Sequence, residues 1–235
     1  MNRDAIHPEF FWDVRVQRYR YRDTKRFAPK EAVMDLQVQY VAEQSALMRN
    51  VASRLYNGEI SLRQAQIEAA GHLKAIHLSY GFLGQEGTEN MSAEDFLRIG
   101  RTLKRQYNGG IDPATGKRFG LSELFKDIAA GRISEKMAAH RLGLFAQSGK
   151  DTYWESADLR LRQKGAIQMQ RFLHSQDECA DCAAYAAQGR VGIGVLPLPT
   201  QRCECMNNCK CSVTYYDSRG GIMPLSAFSL AVLRS

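Results

Sequence analysis

The sequence predicts a mainly α fold: a helical body of antiparallel helices carrying a small C-terminal, cysteine-rich module that contains short β-strands. Three observations predict it. Apolar residues recur at helical spacing from residue 29 to about 172. All six cysteines fall between positions 179 and 211, in close-spaced groups. Over that same stretch glycines, prolines and β-branched residues replace the helical period. At 235 residues the chain holds one ordinary domain plus a small module, and a hydrophobic content of 44% supplies a core. The apolar runs fall short of the ~18 residues of a membrane span, so no membrane is expected. The net charge of +7 permits contact with a polyanion without requiring one.

Residues 1–28 read as an extended basic and aromatic arm. Residues 1–30 carry eight basic and four acidic side chains, more than half of the whole surplus. In Arg18-Tyr19-Arg20-Tyr21-Arg22 the arginines and tyrosines alternate, so an extended chain sends guanidinium groups one way and rings the other. Arg15, Arg18, Arg20, Arg22, Lys25 and Arg26 are the candidate contacts to nucleic acid or a protein partner. Such an arm buries little by itself. It is expected to be held by a neighbour in an assembly, with docking on the chain's own helices as the alternative.

The body is placed at 29–175. Pro29 suits a first helical turn, with Glu31 at the positive end of the dipole, and Asn57-Gly58 stops that helix. Ser61 with Gln64 makes a capping box for the second helix. Gly81, Gly84 and Gly87 read as a loop after it, and Ser92 with Asp95 opens a third helix to about Tyr107. A turn-rich loop follows through Gly116. Further helices are expected over Leu121–Ala130, Ser134–Gln147 and Tyr153–Phe172. Gly58-x-Ile60-Ser61 and Gly131-x-Ile133-Ser134 link helices in the same way, glycine ending one and serine capping the next.

The module is placed at 176–216, and an apolar tail at 217–235 that packs on its own core or inserts into a neighbouring subunit. Val191, Ile193, Val195, Val213 and Tyr215 favour short strands. Cys179-x2-Cys182, followed some twenty residues later by Cys203, Cys205, Cys209 and Cys211, is how a chain presents four thiolates to one tetrahedral zinc. Disulfides, plain buried thiols and an iron–sulfur cluster are the alternatives. Zinc is preferred because the cysteines are confined to one segment and residues 1–8 show no apolar secretory h-region. The expected ligands are Cys179, Cys182, Cys205 and Cys209, with Cys211 and then Cys203 in reserve. Four protein thiolates leave no open position for an activated water, so the ion is read as structural.

Catalysis has little support in the sequence. It contains no H-E-x-x-H, G-x-S-x-G or P-loop motif, so no enzyme is expected. His72 and His77 lie five apart, a poor spacing for shared ligation, and read as packing or surface residues. Arg160, Arg162, Lys164 and Arg171 are further candidates for phosphate contact.

The order of features resembles the head morphogenesis, or minor head, proteins of tailed bacteriophages. The resemblance rests on Tyr21 to Phe27, on the Gly58-x-Ile60-Ser61 segment with His77 after it, and on the stretch from Tyr107 through Gly131-x-Ile133-Ser134. Its most specific part is Glu178-Cys179-Ala180-Asp181-Cys182, then Gly192 to Pro197, then Cys205-Met206-Asn207-Asn208-Cys209-Lys210-Cys211. Cys203 is extra to that pattern. The resemblance implies a structural virion protein, assembled in the bacterial host cytoplasm and acting at the portal or neck in head assembly, DNA packaging or head–tail joining. Its implied partners are the portal, neighbouring copies of itself in a homo-oligomer, and neck or capsid subunits, with DNA a further candidate. The alternative is a DNA-binding zinc protein, a packaging factor or regulator.

Overall fold

The computed structural model describes residues 7–111, 116, 118–174, 179–205 and 209–225. The chain is mainly helical. A hairpin of β1 (Phe10–Asp13) and β2 (Arg18–Tyr21) leads into α1 (Lys30–Tyr56) and α2 (Leu62–Gln85). A 3-10 turn, Thr88–Asn90, leads to α3 (Ala93–Asn108). The two-residue strands β3 (Gly110–Ile111) and β4 (Arg118–Phe119) pair before α4 (Leu121–Ala129), α5 (Glu135–Gln147) and α6 (Gly149–Gln163). The chain ends in an antiparallel sheet ordered β6-β5-β7-β8: β5 (Gln168–Phe172), β6 (Val191–Gly192), β7 (Ser212–Tyr216) and β8 (Ile222–Met223). A short helix, α7 (Ala180–Ala187), sits between β5 and β6.

The helix starts follow their caps. Ser61 and Ser92 each accept from the backbone three residues on, and Gln64 and Asp95 return the bond, while Ser134 accepts from Met137 N–H at 3.3 Å. Gly58 and Gly131 take positive φ, 74° and 64°, where a side chain would be strained. The α2 helix is the centre of the body, with α1 on one side and α6 on the other, and α5 packs along α1. Trp154, Tyr153, Phe82, Phe125, Met34 and Met48 fill the space between them.

Two boundaries differ from expectation. Gly81 and Gly84 do not open a loop; α2 runs through both. A Cβ on Gly81 would stand 2.6 Å from Ile99, and one on Gly84 2.5 Å from the Tyr153 carbonyl, so these glycines are what lets α3 and α6 press against α2. Gly87, at φ 134°, does end the segment. The last body helix stops at Gln163 and not near Phe172. Gly165, at φ 97°, turns the chain, and residues 168–172 form the strand that pairs with both β6 and β7.

The arm is also corrected. From residue 7 on it is a hairpin resting on the chain's own helices; residues 1–6 lie outside the described residues. Phe10 and Tyr19 are buried against Phe82, with ring centroids 5.9 and 6.2 Å away. The Tyr19 hydroxyl bonds Glu89 and accepts from the Thr88 N–H at 2.8 Å. The tail begins as the edge strand β8, paired to β7, with Met223 and Leu225 packed on the core. Its apolar continuation over 226–235 and the turn at 112–115 lie outside the described residues.

Candidate metal centre

Three segments converge to build the site. Cys179 is the N-cap of α7 and Cys182 lies in its first turn, so the C-x2-C unit is a helix start. From β6 the chain passes Leu196, buried beneath it, and Pro199 to reach Thr200 and Arg202, both at positive φ. This bent loop places Cys203 and Cys205. Cys209 and Cys211 lead directly into β7. Polar contacts hold the loop in place: Tyr185 Oη donates to the Arg202 carbonyl at 2.7 Å, and Glu204 N–H to Asp181 Oδ2 at 3.0 Å.

All six sulfurs meet in one cluster, and none is bonded to another. Cys205 Sγ lies 3.5 Å from Cys179, 3.6 Å from Cys182 and 3.5 Å from Cys203, and Cys182 lies 3.7 Å from Cys209. A tetrahedral ion with ~2.3 Å bonds to sulfur separates its ligands by about 3.8 Å, so these spacings are those of a thiolate cage. Cys182, Cys203, Cys205 and Cys209 all fall within 4.8 Å of one another, a quartet that could hold a metal ion. The structure therefore brings together three of the four expected ligands, Cys182, Cys205 and Cys209, with Cys203. Cys179, the fourth expected ligand, sits at the rim with Asp181 and Glu204. Cys203, the last of the reserve ligands and extra to the pattern of the resemblance, follows the positive-φ residue Arg202 and is buried in the cluster.

The electrostatics fit a cation-binding cage. Cys209 is pulled down to about 4, first by the Cys211 thiol and then by the backbone N–H of Thr200. Burial raises Cys182 to about 12, and burial raises Cys203 and Cys205 as well. Without a cation, burial favours the protonated thiol at Cys182, Cys203 and Cys205. A divalent ion reverses this and deprotonates its ligands.

Arg171 is the residue the sequence reading did not place here. It lies on β5, is 1% exposed, and directs Nη1 at Cys182 Sγ from 3.6 Å. Nη2 donates to the Pro197 carbonyl, and the guanidinium lies over the Tyr185 ring at 5.2 Å. Among the described residues no carboxylate pairs with it. A buried guanidinium without a counter-charge is costly, and thiolates on a metal supply that charge.

Of the other candidate phosphate contacts, Arg160 is held inside the fold, while Arg162 and Lys164 are exposed. Arg160 is buried, bonding the Gly84 carbonyl at 2.9 Å and Glu86 at 2.9 Å; Arg162 pairs with Asp158 at 2.7 Å. Lys164 stands 4.0 Å from Glu86. The hairpin keeps its cations outside. Arg18 and Arg20 flank Phe27, at 4.0 and 4.1 Å from its centroid, and Arg22 and Lys25 lie over Phe11 at 5.9 and 5.6 Å. Arg20 also pairs with Asp13 at 2.7 Å. Arg15 and Arg26 are exposed on the same hairpin and its following turn.

No family model, curated protein or solved structure matches this chain.

Proposed function

We propose that this chain is a structural subunit of a tailed-phage head, a minor head protein acting at the portal or neck, whose C-terminal end is fixed by zinc. The observation that carries the structural role is the buried thiolate cage backed by Arg171. Sulfur surrounds the ion from three chain segments, which leaves no position for substrate or water. An all-cysteine set suits zinc, as it does copper(I) and iron–sulfur clusters; the C-x2-C unit separated from the second cysteine group is what favours zinc. The phage reading rests on the order of motifs along the chain, with the cysteine-rich end as its most specific part. In that role the body docks on the portal or a neighbouring copy.

Cryo-microscopy of a virion containing this protein is the test. A ring of copies at the portal vertex is the expected result; recovery only as a free monomer in lysate, absent from particles, overturns it.

A second reading, contact with DNA, is favoured by one observation. The hairpin stacks Arg18, Arg20, Arg22 and Lys25 on Phe27 and Phe11 and so holds their charges outward. Duplex binding that falls steeply with salt would support it.

A further inference from the structure

We propose that the cavity between α1, α2 and the junction of α5 with α6 binds a small organic anion, a carboxylate on an apolar body the size of a single ring. The proposal goes beyond the metal reading and does not depend on it.

The cavity has a volume of about 180 Å³. A cavity of roughly 150 Å³ takes one benzene, which sets the size of the apolar body. Val38, Val41 and Leu83 supply the wall that such a body packs on. The charged lining has one sign: Arg49 of α1 and Lys150 of α6 border the cavity, and no acidic side chain does. Neither cation has an ion pair among the described residues. Arg49 is fixed along its stem, since a Cβ on Gly143 of α5 would come within 3.3 Å of its Cδ. Lys150 is half-buried, and burial lowers its pKa, with Cys209 alone opposing the shift.

Two polar groups at the cavity lack partners. Tyr80 is 4% exposed, and its ring lies close against Gly149. Its hydroxyl makes no hydrogen bond among the described residues, and burial alone moves its pKa, upward. Gln147 Oε1 is buried without a donor; with the amide turned over, its NH2 group donates in that place. Unpaired cations and an orphaned hydroxyl beside an apolar wall form a recognition set for a carboxylate on a short apolar body. Lys150 and Arg49 supply the charge, and the Tyr80 hydroxyl donates to a carboxylate oxygen.

The full chain is titrated with sodium benzoate by calorimetry and by nuclear magnetic resonance of the backbone amides. Benzyl alcohol is the uncharged probe, and inorganic phosphate is the anion without an apolar body. Saturable one-to-one binding of benzoate is expected, with amide shifts confined to α1, α2 and the α5–α6 junction. Benzyl alcohol should bind at least about tenfold more weakly, the worth of a hydrogen bond to a charged group, and phosphate should bind more weakly as well. Lys150→Met keeps the stem, and Tyr80→Phe keeps the ring against Gly149; each should weaken benzoate by about tenfold. Benzyl alcohol binding as tightly as benzoate overturns the anion, and phosphate binding as tightly overturns the apolar body. Benzoate affinity unchanged in both variants overturns the place. No saturable binding of benzoate overturns the site and leaves the cavity to water. The comparison of probes on the wild type decides the matter even if a variant fails to fold.

Discussion

In the helical body, Trp154, Tyr153, Phe82 and Phe125 close the space between helices with carbon; between Cys179 and Cys211 the corresponding space is closed with sulfur. The two clusters are neighbours but differ in what holds them. The carbon core is assembled from long helices whose caps and stripes act locally before any tertiary contact forms. The sulfur core joins an eight-residue helix, α7, to a loop that bends through two positive-φ residues. Few apolar side chains hold that loop down, chiefly Leu196, Leu198 and the ring of Tyr185. A segment so poor in carbon contacts cannot fold on burial alone, and a metal supplies what burial does not.

Removing the metal separates the two cores most sharply. A structural zinc contributes on the order of 10 kcal/mol or more of apparent binding energy, far above what the loop's few bonds provide. A strong chelator should open residues 179–211 to protease while the far-ultraviolet helical signal largely stays, because α1 to α6 hold most of the helix. Loss of the body's helicity at the same chelator concentration would mean the two cores are one cooperative unit.

The converse experiment cuts the carbon core. Trp154 is fully buried and its indole N–H has no acceptor among the described residues, so its role is to fill space beside Tyr153. Trp154→Ala should cost about 3–5 kcal/mol, read as a lower denaturation midpoint. The metal-to-protein ratio should stay at the wild-type value. A falling ratio would show that α6 transmits its packing to the cage, through the Thr200–Asp151 bond or the bond at 3.1 Å between Gln201 and Glu155.

Much of this contrast was legible in the chain. Ser61, Ser92 and Ser134 announce their helices because a cap acts on a backbone N–H three residues away. The cysteine cluster was legible for the opposite reason, since few other structures need such spacing. What was hidden depends on distant partners. Gly81 and Gly84 look like breakers until Ile99 and Tyr153 press against them. Residues 168–172 alternate as a strand should, with Met169 and Arg171 inward, but a buried arginine disguises the pattern. Its partner is a sulfur on another element. Arg160 reads as a surface cation for the same reason, its Glu86 partner lying at the end of another helix, α2.

Acid offers the finest discrimination, because a proton acts differently on the two cores. At the cage it competes directly with metal for sulfur. In the body it acts through His77, which is wholly buried and bonded to Thr152 Oγ1 at 2.7 Å and Gln106 Oε1 at 3.0 Å. Since Gln106 Nε2 donates to Ser148, its oxygen accepts from His77 Nε2–H, and the Thr152 hydroxyl donates to Nδ1. The neutral ring thus satisfies both neighbours, and burial lowers its pKa from 6.5 to about 4. Below 6.5 the unfolded chain takes up a proton that the native ring refuses, so His77's contribution is complete above 6.5 and drains away as the pH falls to about 4. The loss amounts to something on the order of 3 kcal/mol. His77→Gln keeps a donor and an acceptor but does not titrate. The stability difference between wild type and His77→Gln, from denaturant melts of the helical signal, should shift against wild type by that amount across this interval. Taking the difference cancels the acid lability of the cage, which both proteins share. Two parallel curves would mean that the ring already shares its proton with water in the native body, and that this core is less dry than its packing indicates.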